Sequence, residues 1–161
     1  MGYAIAQAAQ YRGAQVTLIS GPTYLQAPQG VELLPVETAV EMRDATLARA
    51  DDADVIIMAA AVADYRPHES KLHKIKKTAE ELTLNLQRNP DISMELGALK
   101  KAQILVGFAA ETENEIANAQ EKLVRKNLDL IVVNNVLQEG AGFDVDTNIV
   151  TLIDKNGAVE K

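Results

Sequence analysis

The chain contains no cysteine, which excludes disulfides, thiolate catalysis and thiolate metal sites and fits the cytoplasm. Long apolar runs are missing as well, so no membrane-spanning helix is expected. The N-terminal Met1-Gly2-Tyr3-Ala4-Ile5 has no basic region before its apolar part, which removes the usual form of a signal peptide. Positive charge is in deficit: 16 lysines and arginines face 23 acids, for a net charge of −7 and a pI near 4.8. That balance argues against a general nucleic-acid-binding surface, while a small anionic ligand stays possible where positive charge is concentrated locally. Walker loops, G-x-G-x-x-G turns and nucleophilic serine elbows are all absent. So are low-complexity tracts and internal repeats.

What is present is one domain's worth of chain, 161 residues with 47% apolar and 24% charged, enough for a full core. Residues 3–12 are alanine-rich and helical in composition, with Gly13 where a C-terminal glycine belongs. Residues 16–20 read as a buried strand stopped by Gly21-Pro22, and residues 31–34 as a short strand. Thr38-Ala39-Val40-Glu41 is a capping-box pattern that opens a helix to about Ala50. Residues 55–60 are wholly apolar, as in a parallel strand covered on both faces. Residues 82–86 alternate with period two, marking a strand with one wet face. Asn89 reads as an N-cap, Pro90 as the first helical residue and Asp91 as complementing the dipole. Residues 104–109 form the next buried strand, 111–127 a helix with Ile116, Ala119 and Leu123 inward, and 130–133 a further strand. Residues 149–153 and 158–159 read as a terminal hairpin across Lys155-Asn156-Gly157.

This alternation implies an α/β fold: a doubly wound, mostly parallel Rossmann-like sheet, helices on both faces, and a small antiparallel addition. Ligands bind such sheets beyond the carboxyl ends of the strands. Four segments follow strand ends there: Ser20-Gly21-Pro22, residues 61–77, Ala109-Ala110-Glu111 and Asn134-Asn135. Asp64 suits a Mg²⁺ ligand or a bond to a ribose or base, although by itself a carboxylate there is more often a helix or turn cap. Lys71, Lys74, Lys76 and Lys77 are the densest basic cluster of the chain, suited to polyphosphate or simply solvated. Lys122 and Lys126 lie one turn apart on one helix face, where cations also offset the macrodipole. Phe108 stands at a strand end, to stack on a base or to pack in the core. His68 and His73, at the lysine loop, have no matching ligands elsewhere for a transition metal.

Five segments occur in order: Ala59-Ala60-Ala61-Val62-Ala63-Asp64-Tyr65-Arg66, Lys74-Ile75-Lys76-Lys77, Asn89-Pro90-Asp91-Ile92, Gly107-Phe108-Ala109-Ala110-Glu111-Thr112 and Arg125-Lys126-Asn127-Leu128-Asp129. Together they resemble the bacterial phosphopantothenate–cysteine ligases, usually the C-terminal half of a bifunctional coenzyme A biosynthesis protein whose N-terminal half is a flavin-dependent decarboxylase. The resemblance implies that CTP, with Mg²⁺, activates the carboxylate of 4′-phosphopantothenate as an acyl cytidylate, and that the cysteine amine then displaces CMP. Asp64, Lys74, Pro90, Asp91, Ile92, Ser93, Phe108, Lys122 and Lys126 would be the CTP positions, with Lys74 also catalytic. The metal ligands stay unassigned. Ser93 stands where the family has valine. The helix N-terminus near Pro90 would offer backbone donors to a base or phosphate. Gly2 would close the family's serine–glycine phosphate turn. The resemblance further implies a homodimer, and truncation at both ends: a strand and an asparagine expected before Met1, and a helix expected after the hairpin. An incomplete nucleotide-binding or dimerisation fragment is the alternative. A dinucleotide oxidoreductase is suggested by the fold class alone and lacks the glycine fingerprint.

Overall fold

Ten residues rich in alanine lose little side-chain entropy in a helix and form α1 (Gly2–Tyr11). The computed structural model describes residues 1–69, 73–75, 82–111, 114–135 and 148–160. Gly13, at φ +85°, bonds its N–H to Gln10 O and turns the chain out of α1, a conformation that glycine alone adopts without steric cost. β1 (Thr17–Ser20) and β2 (Glu32–Pro35) pair in parallel. α2 (Ala39–Ala50) opens on the expected capping box, with Thr38 Oγ1 accepting from Glu41 N at 3.1 Å. β3 (Val55–Met58) pairs in parallel with β6 (Ile104–Glu111), and β6 with β7 (Leu130–Asn135). β8 (Val150–Asp154) and β9 (Val159–Glu160) add antiparallel strands. Their turn is tightened by Asp154, whose Oδ1 accepts from the Asn156 and Ala158 amides.

The fold is thus mixed α/β with a mostly parallel centre, as expected, but the parallel strands fall into two groups. Among the described residues β1–β2 form one sheet and β3-β6-β7-β8-β9 another. The core lies on one face of the larger sheet. Leu105, Ala109, Ile131 and Val133 pack there against Met42 of α2, against Ile92 and Leu96 of α3 (Ile92–Leu99), and against Ala119 and Leu123 of α4 (Glu115–Arg125). The opposite face is less covered. Val55 and its register partner Ile104 are each 50% exposed, so the expectation that residues 55–60 are enclosed on both faces is not met.

Two further boundaries differ from expectation. The strand expected over residues 82–86 is instead β5 (Leu86–Arg88), antiparallel to β4 (Tyr65–Pro67), and Leu82 and Leu84 stay exposed outside it. Cross-strand bonding to residues 65–67 set the register, overriding the local alternation. The helix expected from residue 111 starts at Glu115, because β6 continues through Glu111, paired with Asn135 of β7.

Candidate functional site

The end of β3 runs into a stretch of small residues, and Asn89 fixes where that stretch goes. The Asn89 amide donates to Asp64 O at 2.8 Å. Its side-chain Nδ2 donates to Ala63 O at 2.8 Å, and its Oδ1 accepts from Arg66 at 2.9 Å. Arg66 also donates to Arg88 O. The loop bearing Asp64 is thereby held against the 90–93 segment. Asn89 is therefore no N-cap: its side chain is committed to this junction, and the cap of α3 is Asp91, which accepts from Met94 N at 3.1 Å. The helix starts two residues later than Asn89 and Pro90 suggested. Gly2, at the start of α1, faces the same region, since a Cβ on it would meet Ala59 Cβ at 3.8 Å. Beside the junction a cavity of about 400 Å³ opens between the ends of β1 and β3, with Ser20, Thr38, Ala61 and Asn89 in its walls.

Lys126 reaches into the 90–93 segment from the end of α4. Its Nζ lies 2.9 Å from Asp91 Oδ1 and 3.0 Å from Ser93 Oγ, and the Ser93 hydroxyl donates to Asp91 at 3.0 Å. Burial pushes the Asp91 carboxyl up, but bonds from Lys126, the Met94 amide and Ser93 outweigh it and hold it below the ordinary range. At the α3 N-terminus the Asp91 side chain takes the Met94 amide. The approach of α4 to α3 depends on Gly97, where a Cβ would fall 2.0 Å from Lys126 O. Asn127, at φ +50°, donates Nδ2 to Gly97 O at 2.8 Å and closes the contact.

Lys122, one turn earlier, is paired with Glu111 at 2.5 Å, and Asn118 Nδ2 bonds the other oxygen of that carboxylate at 3.2 Å. Phe108 is half-buried on β6. Strand alternation places it on the face opposite Glu111, so the sheet separates the Phe108 ring from the Lys122 pair. Lys74 and Asp64 are exposed, and among the described residues no ion pair joins Lys74 to the others. Lys71, Lys76 and Lys77 lie outside the described residues. No group of three or more potential ligand side chains gathers among the described residues. The site therefore brings Asp64, Pro90, Asp91, Ile92, Ser93 and Lys126 together, with Gly2 adjoining. The bonds that Asn89, Glu111 and the Ser93 hydroxyl make here were not legible in composition or spacing, although the residues themselves lie in the segments named above. Asn89 was masked by its plausible capping role, and Glu111 by its apparent place inside a helix.

Comparison with known proteins gives this arrangement a family. Residues 1–161 match the family described as DFP, the DNA/pantothenate metabolism flavoprotein C-terminal domain. The coenzyme A biosynthesis bifunctional protein CoaBC of Bacillus subtilis is 53% identical over 158 residues, 98% of this chain and 39% of that protein. A cysteine/cysteine sulfinic acid decarboxylase from an unknown prokaryotic organism is 46% identical over all of this chain and 45% of its own length. The chain thus spans less than half of these relatives. The crystal structure of the C-terminal domain of a CoaBC superposes with a TM-score of 0.82 at 42% identity, covering 99% of this chain and 70% of that one. With the sequence match running end to end and the fold in agreement, the chain belongs to the DFP family, the C-terminal domain of DNA/pantothenate metabolism flavoproteins.

Proposed function

We propose that the chain is the ligase domain of a coenzyme A biosynthesis protein, joining 4′-phosphopantothenate to cysteine at the expense of CTP. The observation that carries this reading is the junction at Asn89, which gathers the Asp64 loop, the 90–93 segment and Lys126, three of the motifs shared with the ligases, at one place. In the first step a carboxylate oxygen of phosphopantothenate attacks the α-phosphorus of CTP, and the bond to the β-phosphate breaks, releasing pyrophosphate. In the second, the cysteine amine attacks the acyl carbon, loses a proton and expels CMP. Lys74, Lys122 and Lys126 would stabilise the charge that develops on the phosphates. The Asp64 and 90–93 segments would orient the nucleotide, and Gly2 would allow close approach of a phosphate. Mg²⁺ would enter largely on the triphosphate, as it usually does where no protein cage exists, neutralising the leaving pyrophosphate. Asp64, an exposed carboxylate, would be a candidate to meet it.

Phe108, facing away from Lys122, suits stacking at the strand end only for a base approaching from its own side of the sheet. A homodimer, fusion to a flavin-dependent decarboxylase and a cytoplasmic location accompany the reading; no described helix is long and apolar enough to cross a membrane. Titration calorimetry with CTP against ATP tests the nucleotide: preferential binding of CTP is expected, and equal or absent binding of both defeats the assignment. Lys74→Gln is expected to abolish acyl-cytidylate formation without unfolding the chain, and undiminished intermediate would remove the lysine loop from the site. A second reading is a nucleotide-binding or dimerisation unit without turnover. It is favoured by the division of the parallel strands into two sheets, in which β1 and β3 are not paired among the described residues. Amide formation from phosphopantothenate, cysteine, CTP and Mg²⁺ by this chain would reject it.

A further inference from the structure

Glu111 is the last residue of β6, at the carboxyl edge of the larger sheet. Its side chain is only 12% exposed, and α4 approaches both of its carboxylate oxygens. Lys122 Nζ donates to Oε1 and Asn118 Nδ2 to Oε2. Asn118 and Lys122 are one helical turn apart, so one face of α4 closes on a single carboxylate. A staple for the helix is a weak explanation of this arrangement. α4 is already anchored by Ala119 and Leu123, which are 0% and 6% exposed in the core, and a partly exposed ion pair adds little to stability. What the carboxylate uniquely fixes is the ammonium of Lys122. An unrestrained lysine side chain explores many rotamers, and the Lys122 side chain is still 37% exposed.

We propose that Glu111 is a positioning residue, which holds Lys122 at the sheet edge in the geometry used for nucleotidyl transfer. The inference rests on the ligase reading given above. A carboxylate beside a lysine also weakens the attraction of that lysine for an anion, so the pair favours placement over raw affinity. The two effects separate in kinetics. In Glu111→Gln the edge gains net positive charge while Lys122 loses its fixed position. The kcat for CTP-dependent amide formation should fall roughly ten- to hundredfold, with the KM for CTP unchanged or lower.

The test compares wild type, Glu111→Gln and Glu111→Asp in the longest polypeptide the gene encodes. It uses steady-state kinetics in CTP, thermal unfolding, and competitive acetylation of Lys122 by acetic anhydride read by mass spectrometry. A fall in kcat without a rise in KM, partial recovery in Glu111→Asp, and faster acetylation of Lys122 in Glu111→Gln support the proposal. A kcat within about twofold of wild type, a loss of kcat that only tracks the loss of folded protein, or a rise in KM at constant kcat overturns it. If wild type forms no amide with CTP, the ligase reading fails instead. The acetylation ratio, which requires no nucleotide, then decides whether Glu111 holds Lys122, and an unchanged ratio overturns that too.

Discussion

Replacing Gly97 by alanine sets two well-measured effects against each other. Gly97 lies within α3, where alanine is preferred over glycine by about 0.8–1 kcal/mol. Propensity alone therefore predicts stabilisation. The added Cβ, however, would sit 2.0 Å from Lys126 O, 2.8 Å from Lys126 C and 3.3 Å from Asn127 Cβ. A carbon approaches a carbonyl oxygen no closer than about 3.3 Å, so the two helices must separate by about 1 Å. The obstacle is backbone and cannot rotate aside. Overpacking of this kind costs about 1–3 kcal/mol. The shift also strains the Asn127–Gly97 bond at 2.8 Å and the Lys100–Asn127 bond at 2.7 Å, each worth about 1 kcal/mol. The balance is a destabilisation of about 2 kcal/mol, or a fall of about 4–8 °C in Tm for a domain of this size. Gly21→Ala is the control, since a Cβ there meets nothing within 4 Å. Circular dichroism melts of both variants supply the measurement. A Tm for Gly97→Ala equal to or above wild type would refute the close-approach argument. The variant should also draw Lys126 away from Asp91 and Ser93, weakening CTP binding beyond any loss of folded protein.

Two further predictions concern the supports of the fold and of the site. Burial works to raise the Asp129 carboxyl, but bonds from the Leu105 amide, Lys100 and Lys155 hold it at about 2. With a folded value below the unfolded one of about 3.9, its stabilisation of roughly 2 kcal/mol is full above the unfolded value and is lost as pH falls toward 2. Urea unfolding across pH 2–7 should show this acid limb, and Asp129→Asn should lower stability at pH 7 and flatten the limb; an unaltered limb would contradict the assignment. Asn89→Ala should free the loop over residues 60–68 by removing its bonds to Ala63 and Arg66, so that limited proteolysis cuts there faster, and an unchanged cleavage rate would show that other contacts hold the loop.

Elements whose signals are local and agree with one another were legible in the sequence. The capping box at Thr38 and Glu41 marked α2, and the Asn156-Gly157 turn between apolar pairs marked the β8–β9 hairpin. The errors fall where a tertiary partner took over a local signal. Asn89, Pro90 and Asp91 each carry a helix-start preference, and the choice among them went to Asp91 because Ala63 and Arg66 engage Asn89. Leu82, Leu84 and Leu86 alternate like a strand, yet ladder bonds to residues 65–67 begin only at Leu86. Glu111 read as helix because its neighbours 115–125 are helical, while its pairing with Asn135 lies 24 residues away in the chain. The residues that converge on the site were recognisable as motifs. Asp91 and Glu111 were among them, but their pairing with Lys126 and Lys122 was not legible, because an ion pair between separate elements leaves no periodic trace.

Those carboxylates change what the positive charge of the site can do. On a chain of net charge −7, the α4 lysines are not bare charges: Lys122 faces Glu111 and Lys126 faces Asp91. Each pair is close to neutral from a distance, so it contributes little long-range attraction for a polyphosphate. An ammonium has three donors, however, and Lys126 spends two on Asp91 and Ser93, leaving a directed donor for a ligand. Lys74, without an ion pair among the described residues, retains its full field. Ionic strength separates the roles, since salt screens net charge over about 10 Å at 0.1 M and leaves short directed bonds largely intact. CTP affinity should therefore fall with added salt in wild type, and the slope should flatten in Lys74→Gln. In Lys126→Met the affinity should drop by a similar factor at every salt concentration. Calorimetric titrations between about 0.05 and 0.5 M salt span the needed range of screening. A Lys74→Gln variant that keeps the wild-type slope would mean that attraction of the nucleotide originates elsewhere, and that the α4 lysines act as charges in spite of their partners.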